Sequence, residues 1–183
     1  MRFIGIDLAG SPKNDTGFCL LEVTGEEKKL SVTLLHSDSE ILEKIRKNDP
    51  DLTAIDAPLT YEGMNRECDS ILRDYGALPA TLRGMEVLAK RGTRLASELN
   101  KVGCKYIEIY AKATGKILGF YDADDRAIQK KLLAAGLCGD LEKRMLTKDE
   151  IDAVFAALTA YLHYDGKSEE VGGATGKIII PKI

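Results

Sequence analysis

The chain has 183 residues, which suggests one domain, long enough to bury a core without help from a metal or a disulfide. Hydrophobic residues make up 44% and charged residues 30%, the balance of an ordinary globular protein. With 26 Lys+Arg against 29 Asp+Glu the formal charge is −3, which excludes a generic basic binder of nucleic acid and leaves room for a local basic patch.

Residues 2–8 (RFIGIDL) read as a strand, followed by a loop with Gly10, Ser11, Pro12, Asn14 and Asp15. Residues 17–24 and 30–36 read as two further strands joined by a turn over 25–29, which makes an antiparallel meander. Ser37-Asp38-Ser39-Glu40 starts a helix with Ile41, Leu42 and Ile45 on its apolar face, and Pro50 ends it. Residues 52–57 (LTAIDA) form a short apolar strand, parallel to one in the meander because a helix precedes it. Residues 62–102 are helical and charged, with Met85, Leu88, Leu95 and Leu99 at helical spacing, and form a helical insertion within the single domain. Residues 106–110 (YIEIY) alternate as a half-buried strand does. Helices follow over 123–135 and 148–164, and Ile178-Ile179-Ile180-Pro181 makes a short C-terminal strand with a proline suited to the end of an edge. No apolar run approaches the ~20 residues of a membrane span, and Asp7 comes too early for a secretory signal, so the expectation is a cytoplasmic protein without a membrane partner. Cys19, Cys68, Cys104 and Cys138, with His36 and His163, show no zinc-ligand spacing and read as reduced thiols and ordinary histidines.

Asp7 lies inside an apolar strand, Phe3-Ile4-Gly5-Ile6-Asp7-Leu8, where a carboxylate is costly unless it is paired, hydrogen-bonded or bound to a metal. It reads either as a cap for the following loop or as a site residue. Asp56 repeats the situation just before Ala57-Pro58. Ligands of open sheets sit beyond the carboxyl ends of parallel strands, so the two aspartates would face one crevice. Thr147 with Glu150 forms a capping box, so a helix begins there and Asp149 and Asp152 project from one side of its first turns. The helix dipole accounts for Asp149 and Glu150 but less well for Asp152, which borders the apolar face of Ile151, Val154, Phe155, Leu158 and Leu162. Ala153, Ala156, Ala157 and Ala160 would let this helix approach the sheet closely. Such an all-oxygen set suits Mg²⁺ or Mn²⁺ rather than zinc. Two such ions ~4 Å apart would stabilise the attacking and leaving oxygens of phosphodiester cleavage.

Gly5-Ile6-Asp7, Ile55-Asp56-Ala57-Pro58 and Asp149-x-x-Asp152-Ala153 resemble the RNase H-like nucleases, nearest in layout to the RuvC-type resolvases. The chain is also similar, nearly throughout, to an uncharacterised family of predicted nucleases in that superfamily. The similarity runs through Arg66-x-Cys68-Asp69-x-x-Leu72-Arg73-x-x-Gly76, Tyr106-Ile107-Glu108-Ile109-Tyr110, Asp152-Ala153-x-x-Ala156-Ala157-Leu158-Thr159-Ala160 and Gly176-Lys177-Ile178-Ile179-Ile180-Pro181. The resemblance implies an α/β RNase H-like fold: a mixed five-stranded sheet in the order 3-2-1-4-5, flanked by helices, with Asp7 beside Asp56. It also implies metal-dependent phosphodiester hydrolysis in DNA or RNA, with Asp7, Asp56, Asp149 and Asp152 as catalytic residues and ligands of two Mg²⁺ or Mn²⁺ ions. Resolvase-like enzymes are often dimers, so monomer and homodimer both stay open.

Arg66, Asp69 and Arg73 fall on one helix face, as a phosphate hold or as a salt-bridged face. Arg91 and Arg94 stand out in the basic segment 83–101 as phosphate contacts, set against a merely solvated face. Glu108 is either an accessory site carboxylate or a solvated one. Two other functions remain: a fragment of an actin-like ATP-binding protein, and a non-catalytic binding protein on the same fold. With the four aspartates set aside as metal ligands the count is 26 basic against 25 acidic residues, so the net acidity is compatible with a metal-dependent nuclease.

Overall fold

The computed structural model describes residues 1–182; Ile183, the last residue of the expected domain, lies outside them. Strand β1 (Arg2–Asp7) is the centre of the sheet, with Phe3, Ile4 and Ile6 fully buried. It runs antiparallel to β2 (Thr16–Thr24), which pairs in turn with β3 (Glu27–Leu35). The β2–β3 turn is tighter than the sequence suggests. Only Gly25 and Glu26 separate the strands, because Gly25 accepts the positive φ of 60° that a two-residue hairpin needs.

Helix α1 (Asp38–Asn48) starts at a Ser37–Glu40 capping box and buries Ile41 and Ile45. It leads into β4 (Leu52–Asp56), parallel to β1, and then to α2 (Glu67–Ile71), a 3₁₀ turn over Leu72–Tyr75 and α3 (Arg83–Lys101). The segment 62–102 is thus not continuously helical. Gly76, at φ 101°, closes the 3₁₀ turn, and Pro79 lies in the irregular stretch before α3. Strand β5 (Tyr106–Glu108) joins β4 and is shorter than the alternation implies, because Ile109 pairs instead with Ile179 and Tyr110 caps α4 (Ala111–Ile117). Helix α5 (Asp125–Ala134), strand β6 (Leu137–Gly139), the single turn α6 (Asp140–Lys143) and helix α7 (Lys148–Tyr164) follow. The chain ends in a hairpin of β7 (Ser168–Gly173) and β8 (Gly176–Pro181).

The main sheet has the order β5-β4-β1-β2-β3-β6. The expected 3-2-1-4-5 core is present, and β6 adds a sixth strand parallel to β3. Three residues, Leu-Cys-Gly, are too few for alternation to reveal. One face of the sheet packs on α7 through Phe3, Leu21, Leu30, Val154 and Phe155. The other packs on α1 and α3 through Ile4, Ile6, Ile41, Ile45, Leu95 and Leu99. The terminal hairpin is a separate two-stranded sheet, and Ile178 and Ile180 cover Cys68, Leu72 and Ala113. No helix among the described residues is long and apolar enough to cross a membrane. All four cysteines are free, with Cys19 and Cys68 buried.

Helix α7 begins at the Thr147–Glu150 capping box and lies close on the sheet. Ala153, Ala156, Ala157 and Ala160 are fully buried. Beneath them a Cβ on Gly5 would overlap the Ala153 carbonyl and the Ala157 nitrogen, and one on Gly17 would overlap the Asp149 carbonyl. These two glycines are required for space, not for an unusual φ. Gly17→Ala is expected to lift the first turn of α7 and to cost about 1–3 kcal/mol, the usual penalty of overpacking. Urea unfolding checks this: the midpoint should fall with an unchanged slope.

Candidate active site

Asp7 and Asp56 are the last residues of β1 and β4, and they stand opposite each other in the parallel register. Side chains at matching positions of parallel neighbours leave the sheet on the same face. The first turn of α7 brings Asp149 and Asp152 toward them, so all four aspartates expected at the site gather at one end of the sheet.

Their electrostatics follow from that crowding. Asp7 is pushed up to about 7, first by desolvation and then by Asp152 and Asp149, with Lys148 opposing. Asp56 is raised well above the usual carboxylate range by burial, then by Asp7 and Asp152, although the Ala111 N–H donates to its Oδ2 at 3.2 Å. Asp152 is raised by burial and held down by Lys148, whose Nζ lies 2.7 Å from its Oδ2. Asp149 is raised by burial, then by Asp15 and Asp152.

Among the described residues no three His, Cys, Asp or Glu side chains converge tightly enough to hold a metal ion as they stand. The chemistry of the donor set nevertheless fits a hard divalent cation. All the donors are carboxylate oxygens, they repel one another, and two of them are largely removed from water. A divalent charge among them would reverse the repulsion.

Glu108, on β5, is tied down. Its carboxylate accepts from Arg66 Nη1 (2.7 Å to Oε1) and from the Leu59 N–H at 2.7 Å. Burial pushes Glu108 up to about 7 against the pull of Arg66. Arg66 precedes α2 in extended conformation, so it shares no helix face with Arg73. It is buried, and its Nε and Nη2 donate to Asp69 at 3.0 and 2.6 Å. Every guanidinium nitrogen of Arg66 is therefore committed inside the protein. Removing one partner of a buried ion pair typically costs about 3–5 kcal/mol, so this Asp69–Arg66–Glu108 group is a fixed part of the wall.

Arg91 is only 1% exposed. Its Nε reaches Asp38 at 2.8 Å, its Nη1 the Ala9 carbonyl and its Nη2 the His36 carbonyl, both at 2.6 Å. It ties the loop after Asp7 to the start of α1 and has no free edge for a phosphate. Arg73 and Arg94 are exposed and form no ion pair among the described residues. Sequence reasoning passed over Lys148, although its i, i+4 spacing to Asp152 announces the pair. It also passed over Asp15, which pairs with His36 at 3.0 Å and for which no local pattern gives a sign.

No family model matches the sequence, and no curated protein was found to match it. Solved structures do. The fold is RNase H-like, a mixed sheet flanked by helices. In particular, the chain is similar to RuvC of Thermus thermophilus, with a TM-score of 0.60 at 12% identity over 91% of this chain and 97% of that one. It is similar too to T. thermophilus RuvC in complex with a Holliday junction substrate, with a TM-score of 0.58 at 13% identity over 91% and 96% of the two chains. At such identity what is shared is the fold.

The raised Asp7 gives a pH signature in metal-free protein. The unfolded chain releases this proton near the ordinary aspartate value of 3.8, whereas the folded chain keeps it to about 7. Between those values the folded state binds more protons, so the contribution of Asp7 to stability falls as pH rises. Asp7→Asn should therefore gain in melting temperature over wild type as pH goes from about 4 to about 7.5 in EDTA, a gap that thermal melts would follow.

Proposed function

We propose that the protein is a nuclease that hydrolyses phosphodiester bonds in DNA or RNA with the help of Mg²⁺ or Mn²⁺. The observation that carries this reading is the pairing of Asp7 with Asp56 in register, beneath the acidic first turn of α7. No side-chain cation among the described residues forms an ion pair with either group, which is a costly arrangement unless a metal cation is their partner. The likeness to a RuvC structure that holds a junction substrate supports nucleic acid as the partner.

Asp7, Asp56, Asp149 and Asp152 would hold one or two divalent ions. Such ions supply a water acidic enough to attack phosphorus at neutral pH and stabilise the departing oxygen. The rest is done by the chain. The sheet register fixes Asp7 and Asp56 side by side. Burial keeps water from screening them. Lys148 holds Asp152 until that carboxylate is needed elsewhere. Arg91 anchors the Ala9 carbonyl and so fixes the exit of the chain from Asp7. Arg73 and Arg94, both exposed, are the arginines of the original set that remain free to meet phosphates. Arg66 and Arg91 act by position.

With Mn²⁺ and labelled single-stranded, duplex and branched DNA or RNA, wild type should cut and Asp7→Asn should lose at least about a hundredfold in rate, a few kcal/mol of barrier. Mn²⁺ should also raise the melting temperature of wild type and not that of Asp7→Asn. Equal cutting by the two proteins, or no cutting of any of these substrates, would sink the reading.

A further inference from the structure

A cleft of about 190 Å³ opens beside the aspartates, and Asp7 and Asp56 form part of its lining. Its remaining wall comes from the chain after β4, from the start of α2, from the stretch before α3 and the first turns of α3, from Glu108–Tyr110 at the end of β5, and from Ile178 of β8. Four observations bear on what belongs in it.

The first is size. Sites for whole cofactors and drug-sized ligands run to about 300–1,000 Å³, so this cleft suits a single ring system. The second is the wall, where Pro58, Leu78, Met85, Leu88, Ile109 and Tyr110 present apolar or aromatic surface. A phosphate gains nothing from such a wall, whereas the face of a heteroaromatic ring does. The third is charge. The Asp69–Arg66–Glu108 group also lines the cleft, and its two carboxyl groups commit the one guanidinium, so it carries no surplus positive charge for a phosphate. With the Arg66 nitrogens already engaged, what this group offers a ligand is acceptor lone pairs, which repel phosphate and receive ring or amino N–H donors. The fourth is the rim. Leu78, the apolar residue at the mouth of the lining, is 51% exposed. Apolar side chains presented this way can separate stacked bases.

We infer that this cleft is a pocket for one unstacked nucleobase of the strand whose phosphodiester lies at Asp7 and Asp56. The inference rests on the nuclease reading and narrows it. The favoured substrate is a strand whose base leaves its stack at little cost, either single-stranded or locally unpaired, and not a continuous duplex. Shared lining puts the base within a nucleotide or so of the reacting phosphate. Gly92 supports the arrangement: a Cβ there would overlap the Pro58 carbonyl, so α3 is seated directly on the chain that leaves Asp56.

The test is a cleavage ladder. An end-labelled single-stranded oligonucleotide of uniform sequence, carrying one abasic nucleotide, is cut partially with Mn²⁺. The expected pattern is a ladder with one weak bond at a fixed offset from the abasic position, cut about tenfold less than its neighbours, the worth of one stacked base. Met85→Trp, which fills the cleft from α3, should cut more slowly throughout and lose the weak bond. Leu78→Ala alters an exposed rim residue outside the aspartate set, so it should fold as wild type does and make the weak bond shallower. An unbroken ladder from wild type, or a weak bond that persists unchanged in both variants, overturns the pocket and leaves the nuclease reading standing. Cutting confined to continuous duplex does the same. Failure to cut any nucleic acid overturns the nuclease reading and the pocket with it.

Discussion

Everything at the acidic end of the molecule depends on how deeply α7 settles on the sheet. Gly5 and Gly17 leave no side chain beneath it, and a row of alanines on its underside lets the two backbones meet. A glycine within a strand or helix costs roughly 0.5–1 kcal/mol relative to alanine. A methyl group forced between helix and sheet costs about 1–3 kcal/mol, so the glycines are the cheaper choice. Because the overlap at Gly17 falls on the carbonyl of Asp149, the contact that sets the helix depth also sets where Asp149 and, one turn on, Asp152 stand. Packing and site geometry are here one constraint.

The fold treats its buried carboxylates in two ways. Glu108 and Asp69 are given a permanent counter-charge, Arg66, held on both sides at hydrogen-bonding distance. Asp7 and Asp56 are given no ion-pair partner among the described residues: a backbone N–H meets Asp56, and the nearby Lys148 is spent on Asp152 and remains 72% exposed. Both sets sit against the same cleft. Where burial is structural the sequence supplies an arginine, and where it is unbalanced the missing charge has to come from outside the chain. That contrast separates a wall from a reaction centre more clearly than acidity alone.

How much could be read beforehand varied with the kind of signal. Asp7 and Asp56 were readable because a charge at the end of an apolar strand is an anomaly that local sequence displays, and the start of α7 was readable because Thr147 and Glu150 form a local pattern. The central strand order came through the family resemblance and not through periodicity. Helix α4 was missed because Ala-Lys-Ala-Thr-Gly-Lys-Ile is held by its neighbours; Gly115 lies against Phe155, which no window along the chain can show. Strand β7 was missed because Ser-Glu-Glu-Val-Gly-Gly carries little strand propensity and pairs only because β8 lies opposite. Arg91 looked like one charge among several on a basic helix. Its partners are the carbonyls of Ala9 and His36, more than fifty positions away, so only the fold reveals that it points inward.

The sheet is unusual in how it ends. Its outermost strands, β5 and β6, are three residues each, and next to β5 the residue Ile109 is already paired with the terminal hairpin. Long free edges are templates on which other chains add strands, and short, interrupted ones are the usual protection. A protein whose central strand is almost wholly apolar carries an obvious risk of sheet-to-sheet aggregation. This one confines that strand to the middle, and where β3 runs on past the three-residue β6 its edge is met by side chains instead: the Val32 N–H donates to Asp140 and the Val32 carbonyl accepts from Arg144.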